Sequence, residues 1–195
     1  DTLNTGKRVF LLDITGIEHR SLTTLRSKHF YVRHEKDVLE SIECVKAKFG
    51  GVNVLINSAG PHSVDLYRCV FETNVWGLFN VTRLMVGLMA QNKPDANQQR
   101  GVIINLSSTM AYEPPPGLVA YGATKSAVSG MTIPLARGLA SQGIRVIAIC
   151  PGYIDSPMTG VLVLRLDCEC LGIFIFIYPI KKDVHRIDSE TVYFS

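Results

Sequence analysis

Four short apolar runs, each closed by a polar or glycine-containing turn, set the tightest limit on what this chain can fold into. They are Val9-Phe10-Leu11-Leu12 before Asp13, Val52 to Ile56 before Asn57-Ser58-Ala59-Gly60-Pro61, Val102 to Leu106 before Ser107-Ser108, and Ile144 to Ile149 before Pro151-Gly152. Apolar runs of this length read as buried strands. Segments of helical period separate them. Asp37 to Phe49 carries one apolar stripe, Val38, Ile42, Val45 and Phe49, and Gly50-Gly51 ends it. Leu66 to Ala90 is helical in pattern and largely apolar, which places it in the core or in an interface. Val119 to Ser141 follows a proline-rich loop, and Pro134 is expected to kink that helix. A further short strand is expected at His29 to Val32. Strands alternating with helices imply right-handed crossovers and a parallel sheet, hence an α/β fold.

The bulk properties remove several function classes. A chain of 195 residues, 47% hydrophobic and 19% charged, suits one globular domain with a proper core. The net charge of +3 comes from scattered Lys and Arg, so charge does not point to nucleic acid. Cys44, Cys69 and Cys150 stand singly in apolar surroundings and read as buried free thiols of a reducing compartment. Cys168 and Cys170 have no partner pair at zinc spacing, so no metal site is expected. The opening Asp1-Thr2-Leu3-Asn4 has no signal-peptide character. Leu171 to Ile180 is apolar but short of the ~20 residues that span a bilayer, so no membrane partner is expected.

Chemistry concentrates after the third run. Tyr121 and Lys125 are four residues apart, so on a helix they share one face. An ammonium beside a phenol favours the phenolate, which predicts a tyrosine pKa below its usual value of about 10. Ser108, at the end of a separate strand, can offer its hydroxyl to the same substrate oxygen. Such a set moves a proton to or from an alcohol or ketone. Taken singly, a Tyr-x-x-x-Lys pair also suits a solvated helix face, and Ser107-Ser108 also suits a strand end or cap. Asn57, Ser108 and Pro151-Gly152 all fall at strand carboxyl ends, where ligand crevices of parallel sheets lie.

These motifs resemble those of the short-chain dehydrogenase/reductase family. Asn57-Ser58-Ala59-Gly60 is similar to its Asn-Asn-Ala-Gly turn, and Asn74 in Thr73-Asn74-Val75-Trp76-Gly77 to its helix asparagine. Ser108, Tyr121 and Lys125 match its Ser, Tyr and Lys, and Pro151-Gly152 matches its Pro-Gly turn. Gln91 to Asp95, Gly101 to Asn105, Gly130 to Arg137 and Gly143 to Pro157 further resemble a subgroup acting on 3-hydroxyacyl-CoA and hydroxysteroid substrates. The resemblance implies a Rossmann-like doubly wound parallel sheet and an NAD-dependent oxidoreductase that passes hydride between nicotinamide and such a substrate. It assigns Tyr121 as general acid/base and Ser108 as the oxyanion partner. Lys125 would depress the tyrosine and bind the nicotinamide ribose. Asn74 would hold a water that joins the lysine to solvent, although helix polarity alone also accounts for it. Asn57, Ala59 and Gly60 would pack beside the cofactor or form a simple turn. Pro151 and Gly152 would also line the cofactor site, and Ser156 would reach the nicotinamide amide. Asp13 would accept hydrogen bonds from the adenine ribose and favour NAD over NADP, or be an ordinary strand-end residue. The resemblance also implies a homo-oligomer and a mitochondrial location, with the cytoplasm as the alternative.

The chain also departs from that pattern. The family's first strand and its Thr-Gly-x-x-x-Gly-x-Gly turn do not occur in it; Thr5-Gly6 and Thr15-Gly16 lack the later glycines. Loss of that central strand would leave unpaired edges and exposed apolar surface. Tyr31 stands where an Asp would contact adenine. Residues 1–159 therefore read as a partial Rossmann-like domain, incomplete in its first strand and carboxyl-terminal elements. Residues 160–195 read as a divergent tail that does not complete the fold. The second reading is a catalytically inactive relative acting through oligomer contacts.

Overall fold

The computed structural model describes residues 31–60 and 67–152, together with the backbone of strands at 9–12, 173–177 and 190–194. Six strands form one sheet in sequence order: β1 (Val9–Leu12), β2 (Val54–Asn57), β3 (Gly101–Leu106), β4 (Ile144–Pro151), β5 (Ile173–Ile177) and β6 (Glu190–Phe194). β1 to β4 are parallel, with rows such as Leu55, Ile103 and Val146 in register. β1 pairs directly with β2, from Val9↔Val54 to Leu12↔Asn57, so no gap opens where a missing central strand was expected. Two strands from the stretch after residue 160 also join the sheet. β5 pairs antiparallel with β4, and β6 with β5.

The helices start and stop for local reasons. Helix α1 (Glu35–Phe49) has Glu35 and Asp37 in its first turn and Lys46 and Lys48 in its last, which complements the helix dipole. Gly50 ends it at φ 75°, giving its N–H to the Lys46 carbonyl. The strand expected at His29 to Val32 is not formed at residues 31–34, which make a turn; residues 29 and 30 lie outside the described residues. The reason is that the Tyr31 amide is taken by the Asp37 carboxylate at 2.9 Å, and His34 N–H closes on the Tyr31 carbonyl.

The helix expected from Leu66 to Ala90 is not uniform. It comprises α2 (Tyr67–Phe71), a π-helical turn over Glu72–Gly77, and α3 (Leu78–Met89). Gly77 lets it lie against the 31–34 turn, since a Cβ there would come 2.5 Å from Val32 Cγ2. Helix α4 (Val119–Leu139) continues through Pro134, which is exposed.

All three parallel crossovers step the same way across the sheet. Right-handed connections then place α1, α2–α3 and α4 on one face. The burial confirms it. Leu55, Ile103, Ile144 and Val146 are buried in one core with Val38, Ile42 and Val45 of α1 and Val81, Met85 and Met89 of α3. The alternate residues, Val54, Ile56, Val102, Ile104, Ile147 and Ile149, are only half-buried. The described residues thus supply one wound half of a Rossmann-like fold, and they leave a partly open apolar face. A paired measurement tests this asymmetry. In urea unfolding, Ile103→Ala is expected to cost about 3–5 kcal/mol, and its neighbour Ile104→Ala about 1–2 kcal/mol less than that. Equal losses would contradict the one-sided core.

Candidate active site

The site forms where the carboxyl ends of β2 and β3 meet the amino-terminal part of α4. Tyr121 and Lys125 occupy the first two turns of α4, on one side of it. Ser108 follows β3 and caps the short 3-10 helix Thr109–Ala111, its Oγ accepting from Met110 N–H at 3.2 Å. The Ser108 side chain neighbours the Tyr121 phenol and acts on its titration as a hydrogen-bonding group does. Gly122 permits the close seat of α4, since a Cβ there would lie 2.8 Å from Pro114 Cβ and 3.0 Å from the Met110 carbonyl.

The adjacent serine takes a different part. Ser107 Oγ donates to the Lys125 carbonyl at 2.8 Å and shares a hydrogen bond of the same length with Ser129 Oγ. Lys125 Nζ donates to the Leu106 carbonyl at 2.8 Å. Both ends of Lys125 are therefore tied to the end of β3. Asn74, buried in the π-helical turn, donates to Thr124 Oγ1 at 3.1 Å, and Thr124 Oγ1 donates to the Tyr121 carbonyl at 2.7 Å. Insertion of one extra residue per turn in a π segment is what re-aims a side chain such as Asn74.

Gly60 completes the cluster. A Cβ on it would lie 2.9 Å from Asn74 Oδ1 and 3.7 Å from Lys125 Nζ. Asn57, Asn74, Gly60, Ser108, Tyr121 and Lys125 therefore converge on one end of the sheet, though not all face the same space. Asn57 Nδ2 instead donates to Thr82 Oγ1 at 3.1 Å and Asn105 Oδ1 at 2.9 Å, tying strands to α3. Ala59 packs against the core. Pro151 and Gly152 end β4, with Pro151 paired to Ile173. Asp13 and Ser156 lie outside the described residues. Thr124 and Ser107 had no assigned role in the sequence reading. Thr124 could have been found from its place inside Tyr121-Gly122-Ala123-Thr124-Lys125, whereas nothing local distinguishes Ser107 from Ser108.

The electrostatics correct one expectation. Tyr121 lies above its ordinary pKa, because burial disfavours the phenolate, although Ser108 works the other way. Lys125 does not depress it as expected. Its Nζ sits 5.6 Å from the Tyr121 ring centre and is engaged by the Leu106 carbonyl. Burial also lowers Lys125 itself to about 8, against an opposing electrostatic contribution from Cys150. Desolvation thus outweighs the opposing contributions of Ser108 on Tyr121 and of Cys150 on Lys125. This arrangement can hold a neutral phenol, with a serine hydroxyl beside it, at a crevice floored by a glycine.

A parallel sheet with Ser108, Tyr121 and Lys125 gathered at its carboxyl end defines a Rossmann-like frame with a polar crevice at the strand ends. The short chain dehydrogenase family model matches residues 15–165, and this chain belongs to that family. It is 43% identical over 141 residues to human (Homo sapiens) 3-hydroxyacyl-CoA dehydrogenase type-2, covering 65% of this chain and 54% of the relative. The solved 3-hydroxyacyl-CoA dehydrogenase type-2 from Mycobacterium avium matches with a TM-score of 0.58 at 29% identity, covering 66% of this chain and 55% of that one. The 3-ketoacyl-(acyl-carrier-protein) reductase from Brucella melitensis, solved in complex with NADH, gives a TM-score of 0.61 at 32% identity, covering 67% and 57%. The chain spans about half the length of the curated relatives it matches. Among the described residues no helix is long and apolar enough to cross a membrane.

The close approach at Gly60 gives a local test. Gly60→Ala should destabilise the fold by about 1–3 kcal/mol through overpacking against Asn74. Denaturant unfolding checks this, and an unchanged midpoint would mean that the Asn57–Gly60 turn does not press on the site.

Proposed function

We propose that this chain carries the proton-handling site of an NAD-dependent oxidoreductase acting on a 3-hydroxyacyl-CoA or hydroxysteroid. The observation that supports it most is the placement of Ser108 beside the Tyr121 phenol, with Lys125 one helical turn on and Gly60 clear of side-chain bulk beside them. In the reducing direction, Tyr121 donates its phenolic proton to the carbonyl oxygen as that oxygen gains charge. Ser108 hydrogen-bonds the same oxygen and stabilises the developing oxyanion. Lys125 orients the site from its fixed seat on Leu106. In oxidation the hydroxyl proton returns to Tyr121. Nicotinamide, when bound, supplies or accepts the hydride at the substrate carbon. The donor set at Tyr121, Lys125 and Gly60 fits the nicotinamide-ribose end of such a cofactor. Residues for its pyrophosphate end are not among those described. NAD rather than NADP is the preferred reading, resting on Asp13.

The assay is oxidation of NADH by a 3-ketoacyl-CoA such as acetoacetyl-CoA, followed at the NADH absorbance. Tyr121→Phe is expected to lower the rate about 10²–10⁴-fold with the fold intact. Because Tyr121 is raised, reduction should hold through neutral pH and decline only above the ordinary tyrosine value of about 10, while oxidation should rise with pH. Absence of NADH binding at millimolar concentration, or a Tyr121→Phe variant as active as the parent, would sink this reading.

The partner reading is a second copy of this chain. Phe71, Val75, Phe79 and Met131, with Glu72 and Trp76, line a mostly apolar recess of about 420 Å³ on the outer side of the Tyr67–Met89 segment and α4. Phe79 is 37% exposed. Phe79→Asp is expected to shift the sedimentation of the chain toward the monomer; an unaltered profile removes this face as the contact.

A further inference from the structure

Tyr121, Lys125 and Ser129 recur at four-residue intervals along α4, so they form one stripe of that helix. The first two belong to the Ser108–Tyr121–Lys125 cluster, and the third has had no part in it. Ser129 sits between two buried side chains from separate strand ends. Its Oγ lies 2.8 Å from Ser107 Oγ and 3.7 Å from Cys150 Sγ.

Counting hydrogens gives these contacts a direction. The Lys125 carbonyl can only accept, so Ser107 Oγ directs its one hydrogen there, at 2.8 Å. Ser107 then accepts from Ser129, whose single hydrogen is thereby engaged, and the Cys150 thiol donates to Ser129 Oγ. A line of donors therefore runs from β4, through α4 and the residue after β3, to the carbonyl of Lys125. A second line reaches the same helix from the π-helical turn: Asn74 Nδ2 donates to Thr124 Oγ1 at 3.1 Å, and Thr124 Oγ1 to the Tyr121 carbonyl at 2.7 Å. The backbone carbonyls of both site residues on α4 are each held by a side-chain hydroxyl besides the ladder of the helix itself. The Ser107 hydroxyl comes from outside the helix, so it resists rotation of α4 about its own axis.

We propose that Ser129 is a positioning residue for this site: as the middle link between Cys150 and Ser107, it fixes the rotation of α4 that seats Lys125 Nζ on the Leu106 carbonyl. Its catalytic consequence rests on the oxidoreductase reading above, whereas the seating of Lys125 does not.

The seating is read from the Lys125 amine. The whole chain, carrying lysine labelled with ¹³C at Cε, is titrated by NMR, and Lys125→Gln identifies the signal. Tyr121 of the same helix and Cys150 of β4 are the titratable groups beside it. The parent midpoint is expected at about 8, because burial disfavours the ammonium. In Ser129→Ala and in Ser107→Ala the amine regains water, so its midpoint should rise toward the ordinary lysine range. Ser129→Thr keeps the hydroxyl and should titrate like the parent. In the NADH assay with acetoacetyl-CoA, Ser129→Ala should lower kcat about tenfold and leave the KM for acetoacetyl-CoA near that of the parent, since a displaced orienting group costs rate more than binding. Thermal melts identify the folded variants, and the two alanine variants break the line at different links, so either folded one decides. A cooperatively folded alanine variant that keeps the parental midpoint overturns the proposal, even where its melting temperature falls. A parent without NADH turnover counts against the oxidoreductase reading alone, because the lysine titration is read without turnover.

Discussion

The seam between the end of β3 and helix α4 holds this structure together at its most consequential point. Lys125 Nζ is bound to the Leu106 carbonyl, and the Lys125 carbonyl is bound by Ser107 Oγ. Leu106 at the end of β3 and Ser107 just after it thereby fix both ends of one helical residue. That tie sets the depth and rotation of α4, and so places Tyr121 against Ser108. It also removes Lys125 from water, which is why the ammonium is weakened to about 8. A buried amine with one good carbonyl partner is tolerated only because that partner is fixed by the strand ladder itself. The placement of Tyr121 and Lys125 and the helix-to-sheet packing are therefore one arrangement.

The second organising fact is directional. Strands β1 to β4 advance steadily across the sheet, so right-handed crossovers deliver every described helix to one face. Leu55, Ile103 and Val146 are sealed, while their neighbours Ile56, Ile104 and Ile147 remain half-buried. A parallel sheet ordinarily buries both faces. The same directionality explains the site: without a reversal of strand order, the described crevice is assembled from β2, β3 and α4 and from the π-helical turn of Asn74.

Much of this was legible in the chain. The four apolar runs gave four parallel strands with small errors at their ends. The stripe Val38, Ile42, Val45 belongs to a helix whose inner side is buried. Tyr121, Lys125 and Ser108 were brought together, as their spacing and strand position required. What local pattern could not give follows from longer-range competition. Tyr31 leaves strand geometry because the Asp37 carboxylate takes its amide. The helix around Asn74 widens into a π turn, a change with no signature in apolar period. β5 and β6 join the sheet because Ile147 to Pro151 offer a free edge to any apolar strand within reach.

The sequence by itself determined the class of fold and the inventory of candidate groups at the strand ends. Strand-forming apolar runs and i, i+4 spacing are local properties, and they survive in any environment the chain adopts. Tertiary structure decided the electrostatic state of those groups. The spacing of Tyr121 and Lys125 suggested a depressed phenol, yet the folded site raises it. Proximity along a helix is written in residue numbers, whereas desolvation depends on which distant strands and turns close over the pair. Only the folded protein, with Leu106, Thr124 and Gly60 in place, sets that balance.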